Sequence, residues 1–572
     1  MRQICLQATR IVVGFILDTY LVVMLRAAIV VVLASAATLL IACGSTPEPT
    51  QQSVRLRLTP GQACRANAPA PGTFEPATTP RFVHDAFPVP DPDEMYEVED
   101  LSGAAMADLN DDDWLDLIFA NGAGNIHIFW NRNGGSFEEQ VITLDEPTRV
   151  IVAADINHDR IRDLVVVTRG ETLWMAGLGG GRLADPSPLL MNNAPDVSTF
   201  SIAVGDLNAD GLVDLYFGNQ QTFNEAQGTE APGPELLMLA GYGEFIDAST
   251  LIPPAEKEDL TYLAVLSDLD GDGDLDIYEI NDARDFGKET GSENGGNRLL
   301  RNDGRTADGG VILTDVTRQS GTGVNVSGMG GGAADVNNDG LNDLFVTVML
   351  PDANALLENR GNLEFIDVTS ESNANTMAPE HDVAWGSVFF DANMDGWLDL
   401  YVCHGYLETG SDPTQRANLT NQPNAMLLNL GDGTFRDGSA ESGVGSDRSS
   451  RSPVVGDLNR DGFPDLVVGN VNEAADIYLN GCDDRAWLTV AIDAGSGNLD
   501  GVGTTIRVEA AGITQTREIQ LGSNSLYGTS APEAYFGFPE QLSSVNVTIR
   551  WPDGVEERFS DIPTRHRLAV RR

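Results

Sequence analysis

Seven short runs in the chain place Asp or Asn at positions 1, 3, 5 and 9. They are Asp108, Asn110, Asp112 and Asp116; Asp155, Asn157, Asp159 and Asp163; Asp206, Asn208, Asp210 and Asp214; Asp268, Asp270, Asp272 and Asp276; Asp335, Asn337, Asp339 and Asp343; Asp391, Asn393, Asp395 and Asp399; and Asp457, Asn459, Asp461 and Asp465. Carboxylates held at contact distance repel by about 1–3 kcal/mol per pair at dielectrics between water and a protein surface. Such runs therefore call for a cation. Hard oxygens at alternate positions of a tight loop suit Ca²⁺, which takes six to eight oxygens at roughly 2.3–2.6 Å, whereas Mg²⁺ keeps its waters and suits an all-protein cage less well. Glycine at position 6 lets the backbone reverse with positive φ, but Asp113 and Arg160 stand there in the first two runs. His158, Arg160 and Arg162 also bring positive or potentially positive groups into the second run, which is expected to be the weakest site. Filling all seven would move the formal charge from −50 to about −36. The run from Asp268 also fits the EF-hand formula, with Glu279 twelfth. The other six runs have Phe119, Val166, Phe217, Val346, Val402 or Val468 at that place, so Glu279 reads as incidental and the ninth residue as the shared closing ligand.

The runs recur every 47 to 67 residues, which makes the self-similar unit the basis of the fold. Before each comes a short apolar segment of small residues, such as SGAAMA or GGGAA; after it comes a β-branched or aromatic segment, such as DLIFAN or DLVVGN. Several units add a third segment and a turn, as in NALLENRGNLEFIDVT. Strand, acidic loop, strand, strand, Gly-rich turn and strand make a four-stranded blade, and seven blades would close a ring without exposed edges. The predicted class is all-β: a seven-bladed β-propeller over 81–484 with Ca²⁺ loops, then a small all-β domain over 485–572, where LTVAI, TIRVEA and VNVTIRW alternate.

Composition narrows the partners. With 35 Lys+Arg against 85 Asp+Glu, the chain lacks the basic surface that nucleic acid requires. The segment MLRAAIVVVLASAATLLIAC from Met24 reads as a lipoprotein signal ending at Cys43, the expected lipidation site and membrane anchor. Residues 1–43 are thus a leader with Met24 as the expected true start, and the Pro/Thr-rich stretch 44–80 reads as a flexible tether. That places the protein at the bacterial outer membrane, cell surface or periplasm. Cys64 and Cys482 flank the repeat region and either pair or stay free; none of the cysteines shows metal spacing.

The strand, DxNxDGxxD loop and DLxV strand resemble the FG-GAP/VCBS-type propeller. AWGSVFFDANMDGWLDLYVCHGY and PNAMLLNLGDGTFRDGSAESGVG are similar to the cartilage-acidic-protein-like family, and GVGTTIRV, REIQ, YFGF and WPDG resemble the ASPIC/UnbV domain. The resemblance implies a non-enzymatic, extracellular binding or adhesion module whose partner is a protein or a polysaccharide. The alternative is a lectin-like or polysaccharide-lyase-like propeller. A lyase needs a general base, and of the six scattered histidines His381 and His404, beside the sixth run, come nearest. Tyr242, Trp385 and Tyr406 are either sugar platforms or core.

Overall fold

In each repeat the residue before the first Asp pairs with the ninth residue across an antiparallel ladder. Ala107 faces Asp116, Ser267 faces Asp276 and Phe390 faces Asp399. The acidic run is therefore the connection between two strands, and its ninth residue already belongs to the second. These pairs come from a computed structural model, which describes residues 54–572 except 66–67, 78–102, 145, 169–170, 190–196, 225–228, 233–234, 242–244, 256–259, 283–295, 350–351, 377–382, 406–421, 472, 496, 511 and 523–524. The leader, Cys43, Tyr242, His381 and Tyr406 lie outside the described residues.

Among the described residues, seven sheets are built this way. Their inner strands are Ala104–Ala107, Thr148–Ala154, Val197–Gly205, Thr261–Ser267, Gly328–Ala334, Ala384–Phe390 and Ser450–Gly456. Each inner strand touches the next in chain order, and the last touches the first, so the sheets stand in a closed circuit. Small residues let the inner strands crowd together: a side chain on Gly386 would stand 2.3 Å from the Arg451 carbonyl oxygen of the next sheet. The class expected from the repeats, an all-β propeller, is thus the observed one. Among the described residues, no helix is long and apolar enough to cross a membrane.

The expected tether needs correction. Within 44–80, Phe74–Pro76 is the outer strand of the seventh sheet, paired with Asp476–Asn480, and Arg55–Pro60 pairs with His566–Arg571. The reason is edge protection and burial: the seventh repeat has no outer strand of its own, and an open edge invites foreign pairing. Phe74 is 4% exposed and packs edge-on against Phe390. Nearby, Cys64 and Cys482 are joined in a disulfide.

The C-terminal residues form two further sheets. One orders Arg55–Pro60, His566–Arg571, Ala486–Asp493 and Glu533–Phe538; the other orders Ile513–Glu518, Thr505–Ala510, Ser544–Arg550 and Glu556–Pro563. They lie in the same compact unit as the ring, Arg55–Arg571. The segment between them enters the ring. Leu521–Gly522 pairs with Ala203 and Val204, and Gly528–Thr529 pairs with Ala104 and Ala105. Leu526 and Tyr527, fully buried, fill the centre in one cluster with Phe200, Tyr262 and Trp385.

Candidate metal centre

A common lattice of hydrogen bonds shapes the acidic loops. In six of them the first carboxylate accepts the N–H groups of positions 5 and 6, as when Asp391 accepts from Asp395 and Gly396 at 2.9 and 2.8 Å. In all seven, Oδ1 of position 3 accepts the N–H of position 5, and Oδ1 of position 5 accepts that of position 7. These bonds hold both positions 4 and 6 left-handed. Ala209, Met394 and Arg460 sit at φ 53°, 55° and 58°, a conformation that costs such residues roughly 1 kcal/mol. Sequence reasoning foresaw this only for position 6.

Position 9 does two jobs. Its Oδ2 accepts the N–H of position 2, closing the loop. Its Oδ1 accepts an N–H from the end of the third strand: Asn131, Gly177, Ala240, Asn302, Asn359, Asn429 or Asn480. The five asparagines were not foreseen as functional, although their recurrence at the end of LLRN, LLEN and IYLN was a visible signal. Each sends Nδ2 to the position 2 carbonyl of the preceding sheet's loop, as Asn359 does to Leu269 at 2.8 Å. One amide thus ties a loop, its own sheet and its neighbour.

The donor set fits a hard cation. Burial raises the loop carboxyls: Asp116 and Asp276 to about 8, Asp163 and Asp391 to about 7, and Asp206, Asp270, Asp335 and Asp461 to about 6. Asp214, Asp343, Asp399, Asp457 and Asp465 also lie well above the usual range for the same reason. In the seventh loop Asp461 is 4% exposed, and its Oδ2 meets no hydrogen-bond partner in the protein. In the fourth, one oxygen each of Asp268, Asp270 and Asp272 lie within 4.8 Å of one another. Carboxylate oxygens that accept one N–H keep a second lone pair for a ligand bond.

The fourth loop departs from its siblings: Asp268 accepts from Gly271 through Oδ1 and from Arg550 Nη1 at 2.9 Å through Oδ2. In the second, Arg160 and Arg162 pair with Asp493 and Asp500, at 2.5 and 2.6 Å, and the loop backbone matches the others. Glu279 lies away from its loop, buried against the Tyr216 hydroxyl and Arg298. Trp385 is fully buried beneath Arg451, its Nε1 donating to the Gly405 carbonyl, so it is core rather than a sugar platform. His404 is 2% exposed with Nε2 beside Thr376.

A family model described as FG-GAP-like repeat matches residues 108–166, 155–217, 335–402 and 417–468, and one described as ASPIC and UnbV matches 494–572. The chain is therefore one of FG-GAP-like repeats ending in an ASPIC and UnbV domain. Cartilage acidic protein 1 of Mus musculus is 24% identical over 334 residues, covering 54% of this chain and 47% of the relative. That of Homo sapiens is 30% identical over 132 residues, covering 23% and 17%. The chain spans less than half the length of these relatives. Among solved structures, the BP39L lectin from Burkholderia pseudomallei has a TM-score of 0.41 at 10% identity, covering 67% of this chain and 98% of the lectin.

Proposed function

We propose that the protein is a non-enzymatic, calcium-stabilised binding module of the cell exterior, held to the membrane through a lipidated Cys43. The supporting observation is the buried, unpartnered Oδ2 of Asp461 within a loop whose chemistry recurs seven times. In each loop, positions 1, 3, 5 and 9 would hold the ion, and the ion would supply the positive charge that offsets their mutual repulsion. Binding to the folded state alone adds stability by mass action, so calcium belongs to the fold energy. The partner would be an extracellular protein or polysaccharide, and the middle of the ring, filled by Leu526 and Tyr527, offers it no channel.

Ion counting together with thermal melting in Ca²⁺ and in EGTA tests this. Several bound ions are expected, with a lower Tm in EGTA and one ion fewer in Asp461→Asn. An unchanged Tm with no bound ion overturns the reading.

A further inference from the structure

A cavity of about 130 Å³, open on one side, lies between the fifth and sixth inner strands and the C-terminal strand Ile513–Glu518. Arg517 lines it and is 9% exposed. Its Nη1 donates to the Thr516 carbonyl at 2.8 Å, while Nε and Nη2 meet no acceptor in the protein. The hydroxyls of Ser387 and Thr516, 1% and 5% exposed, line the same cavity and also have no partner. A buried guanidinium edge and unpaired hydroxyls along one cavity are a strong demand for hydrogen-bonding partners.

The neighbouring charges decide which oxygens can answer it. Asp335, Asp391 and Glu518 line the cavity too. The two aspartates are engaged by backbone N–H groups of their own loops, and Glu518 by Ser267, the Asp268 N–H, Asn342 and Gln520. Three carboxylates around one guanidinium repel an incoming anion. The ligand oxygens must therefore be neutral. A cavity of about 150 Å³ accepts benzene, so this one takes roughly six heavy atoms and leaves the rest of a ligand outside. Two adjacent ring carbons with their hydroxyls have that size, and Phe389 and Pro532 offer apolar surface to the ring.

We propose that this cavity binds one edge of a neutral sugar. Two adjacent hydroxyls accept from Nε and Nη2 of Arg517, and one of them exchanges a hydrogen bond with the Ser387 hydroxyl. The proposal rests on the binding-module reading and names its ligand class; it does not depend on bound calcium.

Saturation-transfer NMR and calorimetry on the full chain, with the methyl glycosides of glucose, galactose, mannose and N-acetylglucosamine, provide the test, run in Ca²⁺ and in EGTA with ions counted. At least one glycoside is expected to bind, at least tenfold more weakly in Arg517→Met and several-fold more weakly in Ser387→Ala, the milder change should the first fail to fold. No glycoside bound, binding unchanged in the variants, or N-methylacetamide bound in place of every sugar overturns the proposal. Sugar binding in a sample without ions sustains it while removing the calcium reading; ions without sugar binding do the reverse.

Discussion

The ninth residue of each loop is a carboxylate that has left water and gained two N–H donors, and the donors do not make good the loss. Asp116 and Asp276 are raised to about 8 and Asp163 to about 7, against roughly 3.9 in an unfolded chain. Between pH 4 and 8 the metal-free folded state thus holds more protons than the unfolded one, so its stability falls as pH rises through that window. Below about pH 4 both states are protonated and the dependence ends. In EGTA, melting curves from pH 5 to pH 8 should show a falling Tm; in excess Ca²⁺, which favours the ionised loops, the trend should flatten or reverse. A Tm that rises with pH in EGTA would contradict the burial argument. Oxygen types at four positions are legible in a sequence because the side chain itself is the signal. The left-handed backbone at position 4 is not, because Ala209, Met394 and Arg460 are held there by bonds to the oxygens of neighbours, whatever their own preference.

At the scale of the element, the third strand matters for its last residue. Asn359 donates its N–H to Asp343 and its Nδ2 to the carbonyls of Leu269 and Asn342, one in the preceding sheet's loop and one in its own. Asn359→Ala keeps the first bond and strands two carbonyls, that of Leu269 in a buried bond, at a cost of about 2–3 kcal/mol; urea unfolding should show it as a lower midpoint at unchanged slope. A change within 0.5 kcal/mol would mean that the sheets are held by apolar packing alone. The blades themselves were legible, since period-2 strands and Gly-rich turns are local. Arg55–Pro60 was not: its partner strand, His566–Arg571, lies about five hundred residues away, and its Pro- and Gln-rich surroundings have the composition of a tether.

At the scale of the molecule, closure depends on joining distant parts of the chain. The bridge between Cys64 and Cys482 spans 418 residues and ties the segment before the ring to the end of its last sheet. By the chain-entropy relation a loop that long stabilises by about 6 kcal/mol, beyond the usual range of roughly 2–4 kcal/mol. The Cys64→Ser/Cys482→Ser protein should unfold at a correspondingly lower denaturant midpoint under non-reducing conditions; equal midpoints would show that the strand Phe74–Pro76 closes the ring unaided.

The same arrangement sets a timetable for synthesis. Phe74–Pro76 emerges early and finds no partner until Asp476–Asn480 has been made, and Tyr527, the hub around which the inner strands gather, comes later still. At roughly 5–20 residues per second, the early strand waits about 20–80 s for its pairing. The ring can therefore gather in pieces as the chain emerges, but its centre and its clasp are both completed only after the last repeat has followed.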